Sequence, residues 1–130
     1  MKKVLLLMIV AISAVLLFSC SNGNSPSAYV TEYYKAMQKG DFKKAVSLIN
    51  DFESAEESDF LVQKLEAQKE EGFKIESFEI VSVEMSEDGN SADVTVKTVT
   101  VAKNGEEPSE NEETLTVYKD ENGNWNRMEL

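Results

Sequence analysis

The spacing of apolar residues changes period once, at Gly72-Phe73, and that switch limits the possible folds more than any other feature of the chain. Before it, Val30, Tyr33, Tyr34 and Met37 recur at i, i+3, i+4 and i+7, the stripe of an amphipathic helix. Ser25-Pro26 gives that helix a start, with a capping hydroxyl and a proline where the missing donor costs nothing. Gly40 ends it as a left-handed cap, and Asp41 caps a second helix at once. Phe42, Ala45, Val46 and Ile49 repeat the same spacing, and Leu48 and Phe52 widen the stripe. Asp51 to Asp59 reads as an acidic connector, within which Ser54 and Glu57 fit a capping box. The third helix is expected to turn Phe60, Leu61 and Leu65 inward and Gln68 to Glu71 toward water, with Gly72 as its stop.

From Phe73 the period is two, but the phase slips. Phe73 and Ile75 are odd, Phe78 and Ile80 even, and Val81, Val83 and Met85 odd again. Ala92 to Val101 slips too: Val94 and Val96 share one face, Val99 and Val101 the other. A slip of one residue swaps faces, so either bulges bend these strands or both faces are partly buried. Asp88-Gly89 signals a hairpin. Asn104-Gly105 opens a longer acidic connection through Pro108 to Glu113, Leu115 and Val117 mark a third strand, and Asn122-Gly123 turns into a fourth at Trp125 to Leu130. Helices first and hairpin-linked strands after predict an α+β fold. Two or three N-terminal helices pack on a curved, four-stranded antiparallel sheet.

Ahead of this domain, Lys2-Lys3 precedes an apolar run from Val4 to Phe18. A basic tip, a short apolar stretch and small residues at its end describe a secretory signal, and the run is shorter than the roughly 20 residues of a spanning helix. The ending Leu17-Phe18-Ser19-Cys20 resembles the lipobox of bacterial lipoproteins. That resemblance implies cleavage before Cys20, a diacylglycerol on its sulfur and acylation of the new amino group. The expected organisation is a signal peptide over 1–19, a lipidated Cys20 with a flexible Ser/Asn/Gly tether over 20–25, and a single domain over 26–130. The domain would then stand outside the cytoplasm, held to the cell membrane or outer membrane by its lipid.

Cys20 is the chain's one cysteine, so no intramolecular disulfide can form. There is no histidine, which removes serine–histidine and cysteine–histidine catalysis and the commonest zinc ligand. The net charge is −11, and residues 1–19 hold two of the basic side chains and none of the acidic ones, so their removal deepens it. A polyanion is a poor ligand for nucleic acid. Asp120 to Asn124 begins like a calcium loop but places Trp125 where the sixth-position glycine belongs, so no metal or other cofactor is expected.

The segment Tyr33-Tyr34-Lys35-Ala36-Met37-Gln38-Lys39-Gly40-Asp41-Phe42-Lys43-Lys44-Ala45 resembles the opening of small lipoproteins, many from Bacteroidetes, that carry a nuclear transport factor two-like domain of unknown function. Gly123-Asn124-Trp125 resembles the entry to that domain's last strand. The likeness covers most of residues 26–130 and implies helices lying in the concavity of a curved sheet, a cone. A cystatin-like sheet wrapped on one helix is the nearest competitor. Enzymes of the cone fold often work from its pocket with a carboxylate base, and some add a tyrosine that donates to an oxyanion. Here Tyr33, Tyr34 and Trp125 are the candidate pocket residues, each weighed against a plain core role. The leading expectation is a non-enzymatic envelope lipoprotein whose domain binds a protein or small apolar ligand, or serves a structural or accessory role. The rival is a hydratase- or isomerase-type enzyme using an acid and a tyrosine.

Overall fold

The structure, a computed structural model, describes residues 24–49 and 52–130. The leader, Cys20 and most of the tether lie outside these residues. Three helices, α1 (Pro26–Lys39), α2 (Phe42–Ser47) and α3 (Ala55–Glu70), precede four strands, β1 (Lys74–Met85), β2 (Ser91–Val101), β3 (Ser109–Lys119) and β4 (Trp125–Glu129). The strands form one antiparallel sheet in chain order. The α+β expectation therefore holds, as helices on a four-stranded meander.

Each helix boundary follows from local chemistry. Ser25 Oγ accepts from the Ala28 N–H at 3.1 Å, and Pro26 sits in the first turn. At the other end Gly40, at φ 79°, donates to Met37 O, and Asp41 N–H reaches back to Ala36 O at 2.9 Å. This paired closure satisfies two carbonyls the helix would otherwise leave open. Gly72 repeats it for α3, with Gly72 N–H to Lys69 O at 3.0 Å and Phe73 N–H to Gln68 O at 2.9 Å. Asp41 caps α2 through the Lys44 N–H, and Ser54 caps α3 through the Glu57 N–H. The capping box is shifted by one residue: the Glu57 carboxylate accepts from the Glu53 N–H, not from Ser54.

Helix α1 touches all four strands, whereas α2 packs on α1 and α3 packs on α2. The main core joins Val30, Tyr33 and Tyr34 of α1 to Val94, Val96, Leu115, Val117 and Met128 of the sheet. A satellite core of Phe42, Val46 and Val62 holds α3. Phe60 does not face in; it is 69 % exposed. At about 100° per residue it lies roughly opposite Val62, the one fully buried residue of α3, and Leu61 and Leu65 take the inward role in part.

The phase slips in β1 are bulges. The β1–β2 register skips between Ile75 and Ser77 and again between Ile80 and Ser82, leaving Glu76 and Val81 as the extra residues. Ile75, Phe78, Ile80 and Val83 thereby all reach the main core despite their changing parity. In β2 the reason differs. Its pairing with β3 runs uninterrupted, so Val101, which is buried, occupies the second face. The acidic connection after Asn104 is shorter than expected, because Ser109 to Glu113 already belongs to β3. Those five residues are polar and exposed, so no apolar alternation marks them. Asn24 and Ser25, read above as the end of a tether, are held to the domain. Ser25 is buried, and the Asn24 side chain both accepts from Trp125 N–H at 2.8 Å and donates to Trp125 O at 3.2 Å.

Gly72 is the tightest corner. Its φ is 111°, and a Cβ there would sit 2.2 Å from the Asn104 amide nitrogen, whose N–H donates to Glu71 O. Gly89 has φ 75° with open space around it. Gly89→Ala should therefore cost only the left-handed penalty, about 1–2 kcal/mol. Gly72→Ala should cost more, by at least about 1 kcal/mol, because backbone must move. Denaturant midpoints of the two variants check the ranking, and equal losses would contradict it.

Candidate functional site

Two neighbouring tyrosines of α1 and one carboxylate of β3 meet at one end of the helix–sheet contact. Tyr34 is almost wholly buried, its ring stacked on Phe78 with centroids 5.3 Å apart and 22° between planes. Tyr33 meets the Tyr34 ring edge-on, at 5.0 Å and 80°. A buried tyrosine must find a partner for its hydroxyl. Tyr34 Oη donates to Glu113 Oε1. Glu113 stands opposite Val96 in the β2–β3 register, so it shares the inward face of β3 with Leu115 and Val117. It is nonetheless exposed to water, since the apolar contacts of that face stop at Leu115. Gln38, one turn further along α1, donates to the carbonyls of Ile75 and Glu76 at 3.3 Å each, which ties the helix to the first bulge.

The electrostatics fix the proton on the phenols. Burial, the Glu113 hydrogen bond, the Glu113 charge and the neighbouring Tyr33 together push the Tyr34 hydroxyl well above the ordinary tyrosine range. Burial, with a smaller push from Glu113, raises Tyr33 to about 12. Both are neutral donors at any physiological pH. Tyr34 can polarise an acceptor oxygen, but it cannot serve there as a base.

Tyr33 and Tyr34 thus pack together in the core, and Trp125 does not join them. Trp125 pairs with Lys119, six residues along β3 from Glu113, about 20 Å at the usual strand rise. Its indole is buried in the main core with the Lys119 ammonium 5.0 Å above the ring. Its role is to anchor β4. Asp120 likewise serves its own turn: Oδ1 accepts from the N–H groups of Asn122 and Asn124 at 2.9 Å, and Oδ2 from the Asn126 amide at 2.8 Å. Among the described residues no cluster of three acidic or cysteine side chains is arranged for a metal.

Glu113 and Phe78 were missed by sequence reasoning. The available signal was parity, because Glu113 is two residues before Leu115 and four before Val117. A groove of about 690 Å³ lies elsewhere, between α2 and α3, with Val46, Ile49, Phe52 and Val62 among its apolar walls and Lys43 and Asp59 at its polar margin. None of the three candidate aromatics lines it.

No family model matches the chain, and no curated protein does. Solved structures of the same shape do match. A computationally designed 17-OHP binder superposes with a TM-score of 0.56 at 9 % identity, covering 81 % of this chain and 90 % of the binder. The RV0760c protein of Mycobacterium tuberculosis gives a TM-score of 0.52 at 9 % identity, covering 77 % of this chain and 87 % of its own. At such identity the likeness speaks for the fold alone, and that fold is the nuclear transport factor two-like cone.

The two tyrosines give the domain an alkaline limit. Tyr33 has an ordinary value of 10.0 and titrates at about 12 when folded, so the native state holds its proton more tightly. That stability is complete below about pH 10 and is lost as pH rises through about 12. Tyr34 acts in the same direction. Each tyrosine should contribute a slope of about −1.4 kcal/mol per pH unit in that window. Urea unfolding across it should show Tyr33→Phe removing one such share; an unchanged slope would contradict the assignment.

Proposed function

We propose that this protein is a lipid-anchored cell-envelope protein whose cone domain binds a partner or a small apolar ligand and carries out no chemistry of its own. The observation that carries the binding half is the Tyr34–Glu113 pair. The tyrosine is a buried, neutral donor at the edge of an aromatic cluster formed with Tyr33 and the half-buried Phe78. Its acceptor is an exposed carboxylate that can turn out to water. A ligand with an apolar body and one carbonyl or hydroxyl oxygen could take the place of Glu113 on the Tyr34 hydroxyl, with its apolar body against the partly exposed Phe78. A general base, by contrast, works best where water is excluded. The designed 17-OHP binder supports the reading, as an example of this fold serving to bind. The envelope half rests on the leader and on Leu17-Phe18-Ser19-Cys20, since one or more acyl chains on Cys20 and its amino group would hold the chain to a bilayer.

The same pair favours one second reading. An acid within hydrogen-bond reach of a tyrosine is the arrangement a cone-fold hydratase or isomerase would use. Glu113→Gln separates the two: it should abolish turnover in an enzyme, yet leave or strengthen ligand binding if Glu113 is only a placeholder.

A small-molecule screen against the purified protein should return apolar compounds with an acceptor oxygen. Their affinity should fall about fivefold to tenfold in Tyr34→Phe, the worth of one hydrogen bond. Failure of every such compound to bind would sink the reading. For the anchor, Cys20→Ala should move the protein from the membrane to the soluble fraction and end incorporation of labelled fatty acid; persistent labelling would refute it.

A further inference from the structure

Strand β4 is short, and this leaves part of the sheet edge open. It pairs with β3 only from Thr116 to Lys119. Strand β3 begins seven residues earlier, at Ser109, and is paired with β2 throughout. Lys119 N–H donates to Asn90 O at 2.8 Å, on the β2 side. The β2–β3 register is unbroken, so alternate residues back to Ser109 also direct their backbone groups toward β2. Glu110, Glu112 and Thr114 must then direct theirs outward. Among the described residues no strand pairs with them there.

We infer that the Ser109–Leu115 edge of β3 is an acceptor for an extended, basic segment of another protein, which adds as a fifth strand. Backbone pairing supplies the attraction, and side chains select the occupant. Three carboxylates flank the open edge: Glu110 and Glu112 on the outer face, Glu113 on the inner one. Lys97, the nearby cation of β2, already bonds Glu110 at 2.6 Å. A strand with lysine or arginine opposite Glu112 gains an opposite-charge pair. A second copy of this chain gains the reverse. Antiparallel pairing centred on Glu112 would set that residue against itself, and like charges directly opposite destabilise a sheet. The overall charge of −11 adds to the discrimination. Acids on an edge also discourage unwanted pairing, and here they discourage it selectively, against self and against acidic strands.

The experiment uses the full chain in neutral detergent and a fluorescein-labelled peptide of four Lys-Thr repeats. Its controls are the same peptide N-methylated at every backbone nitrogen, and a Glu-Thr version. The Lys-Thr peptide should bind, the Glu-Thr peptide should not, and N-methylation should weaken binding at least about tenfold at unchanged charge. Thr114→Pro, which removes an outward N–H and, toward β2, no backbone bond but only the side-chain contact with Thr95 Oγ1, should weaken the parent peptide to a similar extent. If that variant loses its circular dichroism spectrum, the N-methyl comparison on the native chain decides alone. Equal binding of the N-methylated peptide would reduce the effect to charge attraction and overturn the proposal. So would no binding at about millimolar peptide, or sedimentation as a dimer, which would give the edge to a second copy.

Discussion

Everything in this domain depends on one helix lying across the whole sheet. The stripe of α1, from Val30 through Tyr34, is the only apolar surface in contact with all four strands among the described elements. A straight helix and a flat sheet would touch along a narrow line. The two bulges in β1 change that by turning Ile75, Phe78, Ile80 and Val83 successively to the same side while the strand bends. The third helix contributes little to this contact. It stands on α2 and buries one residue fully, Val62.

The aromatic choice for α1 has a polar consequence. Tyr29, Tyr33 and Tyr34 fill the volume of the core, but each brings a hydroxyl that has to be satisfied at its margin. Tyr29 Oη has two carbonyl acceptors, Leu48 O at 2.6 Å and Asn126 O at 3.0 Å, and one proton to share between them. It thus couples the end of α2 to β4. Tyr34 has no backbone acceptor and uses Glu113 instead. A backbone carbonyl cannot leave its position, whereas a glutamate side chain can. That difference in mobility is why the Tyr34 end of the core is the candidate site and the Tyr29 end is framework.

What could be read from the residues, and what could not, divides along the same physics. Periodicity exposed α1, α2 and the β1 phase slips, because burial imposes a pattern wherever a face is covered. It failed at Ser109 to Glu113, where β3 is held by backbone pairing alone and no burial imposes a pattern. The candidate site suffered for that reason: Tyr33 and Tyr34 were visible on their helix, while Glu113 was hidden in an apparently acidic loop. Phe60 failed differently. It is a large apolar residue on the water side of a helix, and composition alone cannot tell such a residue from a core one. Asn24 was hidden by its polar neighbours, although its two bonds to the Trp125 backbone make it act like one more residue of the sheet.

Those two bonds also orient the molecule under the proposed anchoring. Four residue steps separate Cys20 from Asn24, and a chain spans at most ~3.6 Å per residue, so the anchor reaches no more than about 14 Å. A lipid on Cys20 would therefore hold the Trp125 end of the sheet next to the head groups. The Glu113 end, about 20 Å along β3, would point away from them. The acidic surface favours this arrangement, because anionic head groups repel Glu110, Glu112 and Glu113 more weakly the farther they stand from the bilayer. The aromatic site and the open strand edge then share one side of the molecule, the side a partner in the surrounding compartment would meet first. A ligand that displaced Glu113 from Tyr34 would release a carboxylate beside that edge and raise its attraction for a basic strand. The two surfaces are adjacent along β3, so occupation of one should be felt at the other.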